Sequence, residues 1–257
     1  MDRKILITGA NGYIGSTLSR ELKVYSITEL TRQVVDLTDA EAVSKWFQGK
    51  FFDVIIHCAT VGGSRLVVDT PEVLDSNLQM YYNLLANRAS FGKLLHFGSG
   101  ADVLETSYGL SKKIIRESIK RQSNFYNLRI YAVFDENELE TRFIKSNIKN
   151  YLDKNPILLH ANKLMDFFYM KDLITTVQYY LETEALPVEF DCIYRDKLSL
   201  FEISKIINNL ADYKVDIILE NKNPAQEYVG TFTSLQLDYI GLEQGIKNTY
   251  VKLKNEY

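Results

Sequence analysis

Cysteine, proline and histidine are scarce in this chain, and it has no long hydrophobic run. Two cysteines, Cys58 and Cys192, cannot build a disulfide framework. With no leader-like opening either, a reducing cytoplasm is the expected setting. Only four prolines occur, and neither a low-complexity linker nor an internal repeat is visible. No apolar stretch approaches the ~20 residues needed to cross a bilayer. Positive charge is not in excess: 30 Lys and Arg stand against 33 Asp and Glu, a net charge of −3. That removes the electrostatic ground for nucleic acid or an anionic membrane as partner. The His, Cys, Asp and Glu residues show no ligand spacing, so no metal site is expected. His96 and His160 read as core or strand-end residues.

What is present suits a soluble α/β protein. A chain of 257 residues, 46% apolar and 25% charged, can bury one full core and carry a smaller lobe. Near-continuous apolar runs at Lys4–Thr8, 24–28, 53–58, 93–97 and Phe125–Ile130 read as buried strands. A further short strand is expected just before Asp36. Helix-period segments lie between, at 12–23, Ala40–Phe47, 71–89 and 107–121. Strands of this kind alternating with helices predict a doubly wound parallel sheet, a Rossmann fold with its ligand at the carboxyl ends of the strands. Residues 1–131 form the expected dinucleotide-binding domain. Residues 132–257 form mainly a substrate lobe, with helices near 138–153, 171–182, 199–209 and 242–253, short strands near 157–160, 191–193 and 215–219, and some segments returning to the first sheet.

The first strand runs into Thr8-Gly-Ala-Asn-Gly-Tyr-Ile-Gly15 at the start of a helix. In that context Gly9 and Gly12 let backbone amides approach a phosphate, and Gly15 lets helix and strand pack closely. Asn11, Tyr13 and Ile14 fill out the same turn. Beyond strand two, Glu29 could bind an adenosine ribose diol, while Thr31 and Arg32 could grip a 2′-phosphate. The second choice is favoured, giving NADP as the expected cofactor with NAD left open. Asp36 and Leu37 are set to meet the adenine, and Cys58, Ala59 and Thr60 the middle of the dinucleotide.

Tyr108 and Lys112, four residues apart in Ser107-Tyr-Gly-Leu-Ser-Lys112, share one helix face. A lysine cation favours the phenolate, bringing a poor proton carrier towards neutral pH. Ser99, at the end of the strand within Leu95-His-Phe-Gly-Ser-Gly-Ala101, could hold a substrate oxygen beside that phenol. Lys112 would also reach the nicotinamide ribose. In the second half Arg142, Phe143 and Lys145 share one expected helix and could meet the phosphates and base of a nucleotide-sugar.

In this order, the motifs resemble the extended short-chain dehydrogenase/reductases of the nucleotide-sugar epimerase/dehydratase group, over almost the whole chain. The compact members, GDP-fucose synthase and the dTDP-4-dehydrorhamnose reductases, are the most similar. Asp36-Leu-Thr-Asp39, Ala59-Thr-Val-Gly-Gly63, Asn77, Asn127-Leu-Arg-Ile130 and Asp166-Phe-Phe-Tyr-Met-Lys-Asp-Leu173 belong to the same resemblance. It implies Ser99, Tyr108 and Lys112 as catalytic triad, Asn77 as a cofactor-side residue, and a homodimer through paired helices. The chain departs from the pattern in a short connection from Ser99 to Tyr108, in Gly100 where relatives carry a second hydroxyl, and in Met165 for a usual arginine. Ala101 and Arg142 stand where epimerising relatives carry a cysteine and a histidine, and neither can exchange a proton beside a ketone. The dehydratases' Asp-Glu pair has no counterpart in register, although Asp102 and Glu105 lie close. The expectation is therefore an NADPH-dependent reductase of a nucleotide-diphosphate 4-keto-6-deoxy sugar, feeding surface-glycan synthesis. A C4 epimerase with bound NAD and a noncatalytic NAD(P) sensor are the alternatives.

Overall fold

The computed structural model describes residues 3–64 and 66–256. The chain divides into two units, residues 1–129 with 178–190, and residues 130–177 with 191–257. The strands are β1 (Lys4–Thr8), β2 (Ser26–Leu30), β3 (Phe52–His57), β4 (Phe91–Ser99), β5 (Phe125–Ile130), β6 (Val133–Phe134), β7 (Ile157–Ala161), β8 (Phe168–Tyr169), β9 (Glu189–Cys192) and β10 (Ile217–Asn221). The α-helices are α1 (Tyr13–Glu21), α2 (Ala40–Phe47), α3 (Pro71–Ala86), α4 (Ser107–Ile119), α5 (Phe143–Leu152), α6 (Met170–Glu182), α7 (Leu200–Asn208) and α8 (Leu242–Glu256).

The first unit is a doubly wound α/β fold around a six-stranded sheet of order β2-β1-β3-β4-β5-β9. Pairing is parallel from β2 through β4. Ile5, Leu6 and Ile7 of β1, and Ile55 and Ile56 of β3, have no exposed surface, as strands covered on both faces require. Parallel register brings Thr8, Leu30 and His57 level, with His96 beside His57. The carboxyl ends of four strands therefore share one edge, where a ligand crevice forms. Helix starts are signalled locally. The side chain of Asp39 accepts from Ala42 N at 3.0 Å at the start of α2, and that of Thr106 accepts from Gly109 N at 3.0 Å at the start of α4.

The second unit has its own core, in which α5, α7 and α8 pack around Phe134, Tyr151, Leu159 and Ile203. Its strands form two parallel pairs, β7 with β10 and β6 with β8.

Several expected boundaries shift: α3 ends at Ala86 rather than 89, β9 is Glu189–Cys192 rather than 191–193, and β10 is Ile217–Asn221 rather than 215–219. Three further differences have a visible local cause. Strand two begins at Ser26 rather than 24, because Tyr25 N closes a turn onto Leu22 O and leaves Val24 73% exposed. The short strand before Asp36 does not form. Val34 N and Val35 N both donate to Thr31 O at 3.1 Å, so this segment turns, and the strand ending at His57 is third rather than fourth. Helix α5 starts at Phe143 rather than 138. Asp135 and Glu138 accept from the backbone N–H groups of Asn137 and Lys145, at 2.8 and 3.1 Å, and hold the intervening segment in a turn.

Candidate active site

Sterics shape the cofactor end. Gly9 has φ +66°, and a Cβ there would come within 2.7 Å of the Ala59 backbone. At Gly15 a Cβ would lie 2.3 Å from Gly9 O, so no side chain fits where α1 crosses the turn. Thr8 joins the neighbouring strand ends: its hydroxyl accepts from Ala59 N at 3.2 Å and pairs with His57 Nδ1 at 2.8 Å. These loops and the N-terminus of α1 enclose a crevice of about 580 Å³. Gly9, Asn11, Gly12, Tyr13, Ile14, Gly15, Thr31, Arg32, Asp36, Leu37, Cys58, Ala59 and Thr60 all line it. So do Gln33 and Thr38, which the sequence reading missed. The signal for Thr38 was its place two residues after Asp36. The Asp36 carboxylate accepts from Thr38 N at 3.0 Å and Thr38 Oγ1 at 2.8 Å.

Those two bonds, with a smaller contribution from Arg32, hold Asp36 below the usual carboxylate range. Arg32 pairs with Asp36 at 3.0 Å, its side chain 80% exposed. Glu29 points to solvent, outside the crevice lining, and β2 ends on Leu30. The rim beyond β2 thus offers a guanidinium, a hydroxyl and an amide. The glycine close approaches, the N-terminus of α1 and this rim fit a dinucleotide carrying phosphate.

Ser99 closes β4, buried, with its Oγ accepting from Ala101 N at 3.1 Å. Lys112 is buried on α4. Its ammonium donates to Phe97 O at 2.8 Å and lies 5.5 Å from the centroid of the Tyr108 ring. Burial lowers its pKa to about 8, against the opposing influence of Cys58. On Tyr108 the Gly62-Gly63 turn presses closely: a Cβ at Gly63 (φ +73°) would lie 2.8 Å from the phenol Cζ. Asp69 Oδ1 fixes this turn by accepting from Gly63 N at 2.9 Å. The glycine pair was the visible signal for that contact.

Asn77 is buried outside the crevice lining and braces the loop beneath it. Its side chain bonds both backbone groups of Val61 and reaches Ser111. Gly100 and Asp102 lie in a short 3₁₀ turn after Ser99. The buried Asp102 carboxylate accepts from Arg116 and Arg129, each at 3.1 Å, and Glu105 is exposed. Beneath Lys112, the His57 and His96 rings lie 5.3 Å apart. Burial first, then the Lys112 charge, pushes His57 down to about 3 and His96 well below its ordinary value. Among the described residues, neither ring nitrogen of His96 has a hydrogen-bond partner.

Arg142, Phe143 and Lys145 belong to the second unit. Arg142 occupies the N-cap position of α5 without a side-chain cap bond, and the Phe143 ring packs on Phe167 with centroids 5.8 Å apart. Lys145 is buried, donating to Glu138 O at 3.0 Å and pairing with Glu140 at 2.8 Å. His160 stands exposed on β7 beside Glu220.

A family model described as NAD dependent epimerase/dehydratase family matches residues 5–190. No curated protein matches the sequence. Among solved structures, the fold is similar to dTDP-4-dehydrorhamnose reductase of Bacillus anthracis in complex with NADP, with a TM-score of 0.79 and 19% identity over 98% of this chain and 99% of that one. It is similar to a GDP-6-OMe-4-keto-L-xylo-heptose reductase from C. jejuni, with a TM-score of 0.77 and 17% identity over 100% and 99%. A Bacillus cereus UDP-glucuronic acid 4-epimerase in complex with NAD and a fluorinated UDP-sugar gives a TM-score of 0.79 and 18% identity over 99% and 100%. At these identities the shared property is the fold.

Two buried neutral imidazoles make stability depend on acid. With folded pKa values below the unfolded ~6.5, the unfolded chain takes up protons first, so stability falls as pH drops from ~6.5 towards the folded value of about 3 for His57. His96→Phe removes one such group and two ring nitrogens that have no partner among the described residues. Urea unfolding at several pH values should show unchanged or higher stability at pH 7 and a shallower decline on acidification. An undiminished decline would sink this account.

Proposed function

The chain belongs to the NAD dependent epimerase/dehydratase family, and on that premise we propose that it reduces the 4-keto group of a nucleotide-diphosphate 6-deoxy sugar, with NADPH as reductant. The observation that carries the reading is the buried Lys112 ammonium beside Tyr108, with Ser99 at the end of the adjoining strand. The chemistry supplied by the dinucleotide, when bound, is hydride transfer to the sugar carbon. Tyr108 gives its phenolic proton to the ketone oxygen as negative charge develops there. The Ser99 hydroxyl donates to the same oxygen and orients it. Lys112 holds its positive charge against the forming phenolate. NADPH is favoured over NADH by the rim after β2, where Arg32 and Thr31 stand and no carboxylate ends the strand.

Simple reduction is favoured over reduction with epimerisation, since neither a methyl at Ala101 nor a guanidinium at Arg142 can act as the acid and base that a neighbouring carbon would need. The Asp102 carboxylate is engaged by Arg116 and Arg129, which favours a structural role for it over one in dehydration. Arg142 and Phe143 are our candidates for the nucleotide, with Lys145 as the residue that steadies their helix. The same reading has a cytoplasmic homodimer serving surface-glycan synthesis, joined through the outer faces of α3 and α4, where Tyr82 and Leu110 are 43% and 41% exposed. Among the described residues no helix is long and apolar enough to cross a membrane.

NADPH oxidation by purified protein, measured with dTDP-, GDP-, UDP- and CDP-linked 4-keto-6-deoxy sugars, tests the proposal. One of them should turn over, and Tyr108→Phe should lower kcat by about 10²- to 10⁴-fold. The rate should decline on the alkaline side of about pH 8 as Lys112 loses its proton. Interconversion of UDP-hexoses without added cofactor would instead establish the epimerase. Arg32→Ala should raise KM for NADPH about tenfold or more while leaving that for NADH nearly unchanged. Equal effects on both cofactors would remove Arg32 as the 2′-phosphate ligand.

A further inference from the structure

The loop that follows β3 touches residue 108 twice. Gly63 lies against its ring, as described above. The second contact is a chain of side-chain hydrogen bonds through the buried Asn77 and Ser111, which are 3% and 0% exposed. Asn77 Oδ1 accepts from Val61 N at 2.9 Å and from Thr60 Oγ1 at 3.4 Å. Its Nδ2 donates to Val61 O at 3.0 Å and to Ser111 Oγ at 3.1 Å. Ser111 Oγ in turn donates to Tyr108 O at 2.7 Å. Val61 alone fixes the direction of the amide, because its N–H requires an oxygen and its C=O requires an N–H. All four hydrogen-bonding positions of Asn77 are occupied. A helical serine bonding the carbonyl three residues back is ordinary. The same hydroxyl receiving a second helix's amide is what makes this one a joint between elements.

The near end of this chain belongs to the crevice, whose wall includes Cys58, Ala59, Thr60 and Val61. Its far end is the backbone of Tyr108. We infer that Ser111, acting with Asn77, is a positioning residue that transmits occupancy of the dinucleotide crevice to the first turn of α4 and so to the phenol. This rests on the reading of the crevice as a dinucleotide site. A dinucleotide seated against residues 58–61 narrows the motion of that loop, Asn77 moves with Val61, and Ser111 passes the restraint to the Tyr108 carbonyl. Local restraint of this kind appears as slower backbone hydrogen exchange.

Hydrogen–deuterium exchange with and without NADPH tests the inference without a sugar. In the natural chain NADPH should slow exchange at residues 58–63 and at 107–112, each by about tenfold. Ser111→Ala should bind NADPH within about threefold of the natural Kd and keep the loop response. Its helix response should fall below about twofold. Ser111→Cys, of nearly the same volume but a weak donor, should behave like the alanine variant without opening a cavity. Ser111→Thr retains the hydroxyl and should restore the helix response. An undiminished response at 107–112 in the alanine and cysteine variants would overturn the inference alone. If NADPH slows neither segment in the natural chain, the crevice reading falls and the inference with it.

Discussion

An ammonium with almost no exposed surface constrains everything around it. The Lys112 ammonium donates to Phe97 O, and its charge bears on the side chains of Cys58, His57 and His96. Burial keeps each of these three neutral: it raises the thiol and lowers both imidazoles. A charge surrounded by neutral groups in a medium of low dielectric is weakly screened. Its field therefore reaches the Tyr108 ring 5.5 Å away. A carboxylate in place of either histidine would neutralise Lys112 and weaken its pull on a phenolate. The two histidines thus read as filling that keeps the ammonium uncompensated.

The Asp102 and Asp36 carboxylates are each engaged by their own neighbours. Asp102 follows Ser99 by three residues, yet its oxygens face Arg116 and Arg129. Arg116 also bonds Glu189 of β9, so one ionic network ties the 3₁₀ turn, α4, β5 and β9. At the cofactor end Asp36 is bound by Thr38 and Arg32. A free carboxylate at the close of β2 would repel a 2′-phosphate, and the strand ends instead on Leu30.

How much of this was legible depended on whether the cause was local. The glycines at positions 9, 12 and 15 could be read because the constraint is steric and the spacing follows a buried strand. The Tyr108–Lys112 relation could be read because helical geometry fixes it. Strand β2 was misjudged by two residues since Val24 is apolar but spends its place in a turn closed onto Leu22. The strand expected before Asp36 failed for a related reason, two valines drawn into a turn by Thr31 O. What could not be read were long-range partners. Asn77 was singled out by resemblance, but its bonds to Val61 and Ser111 span 16 and 34 residues. Nothing in the sequence around Ser111 marks it as a joint. Lys145, read as a phosphate ligand, turns out to hold Glu138 and Glu140 of its own unit, partners that only the turn before α5 brings near.

The short connection from Ser99 to Tyr108 ties these points together. Between them lie one 3₁₀ turn, a few linking residues and the Thr106 cap. Gly109 lets α4 press against that turn, where a Cβ would lie 2.4 Å from Ala101 O. Ser99, Tyr108 and Lys112 are therefore carried on one contiguous, self-bonded stretch, and Lys112 reaches back to Phe97 at its beginning. Local bonds support their mutual geometry. The remaining freedom is how this stretch meets the crevice wall. That contact is made by residues 61–63 through Asn77, Ser111 and the face of the Tyr108 ring. Ser99, Tyr108 and Lys112 thus meet the crevice wall as one stretch, through a contact only three loop residues wide.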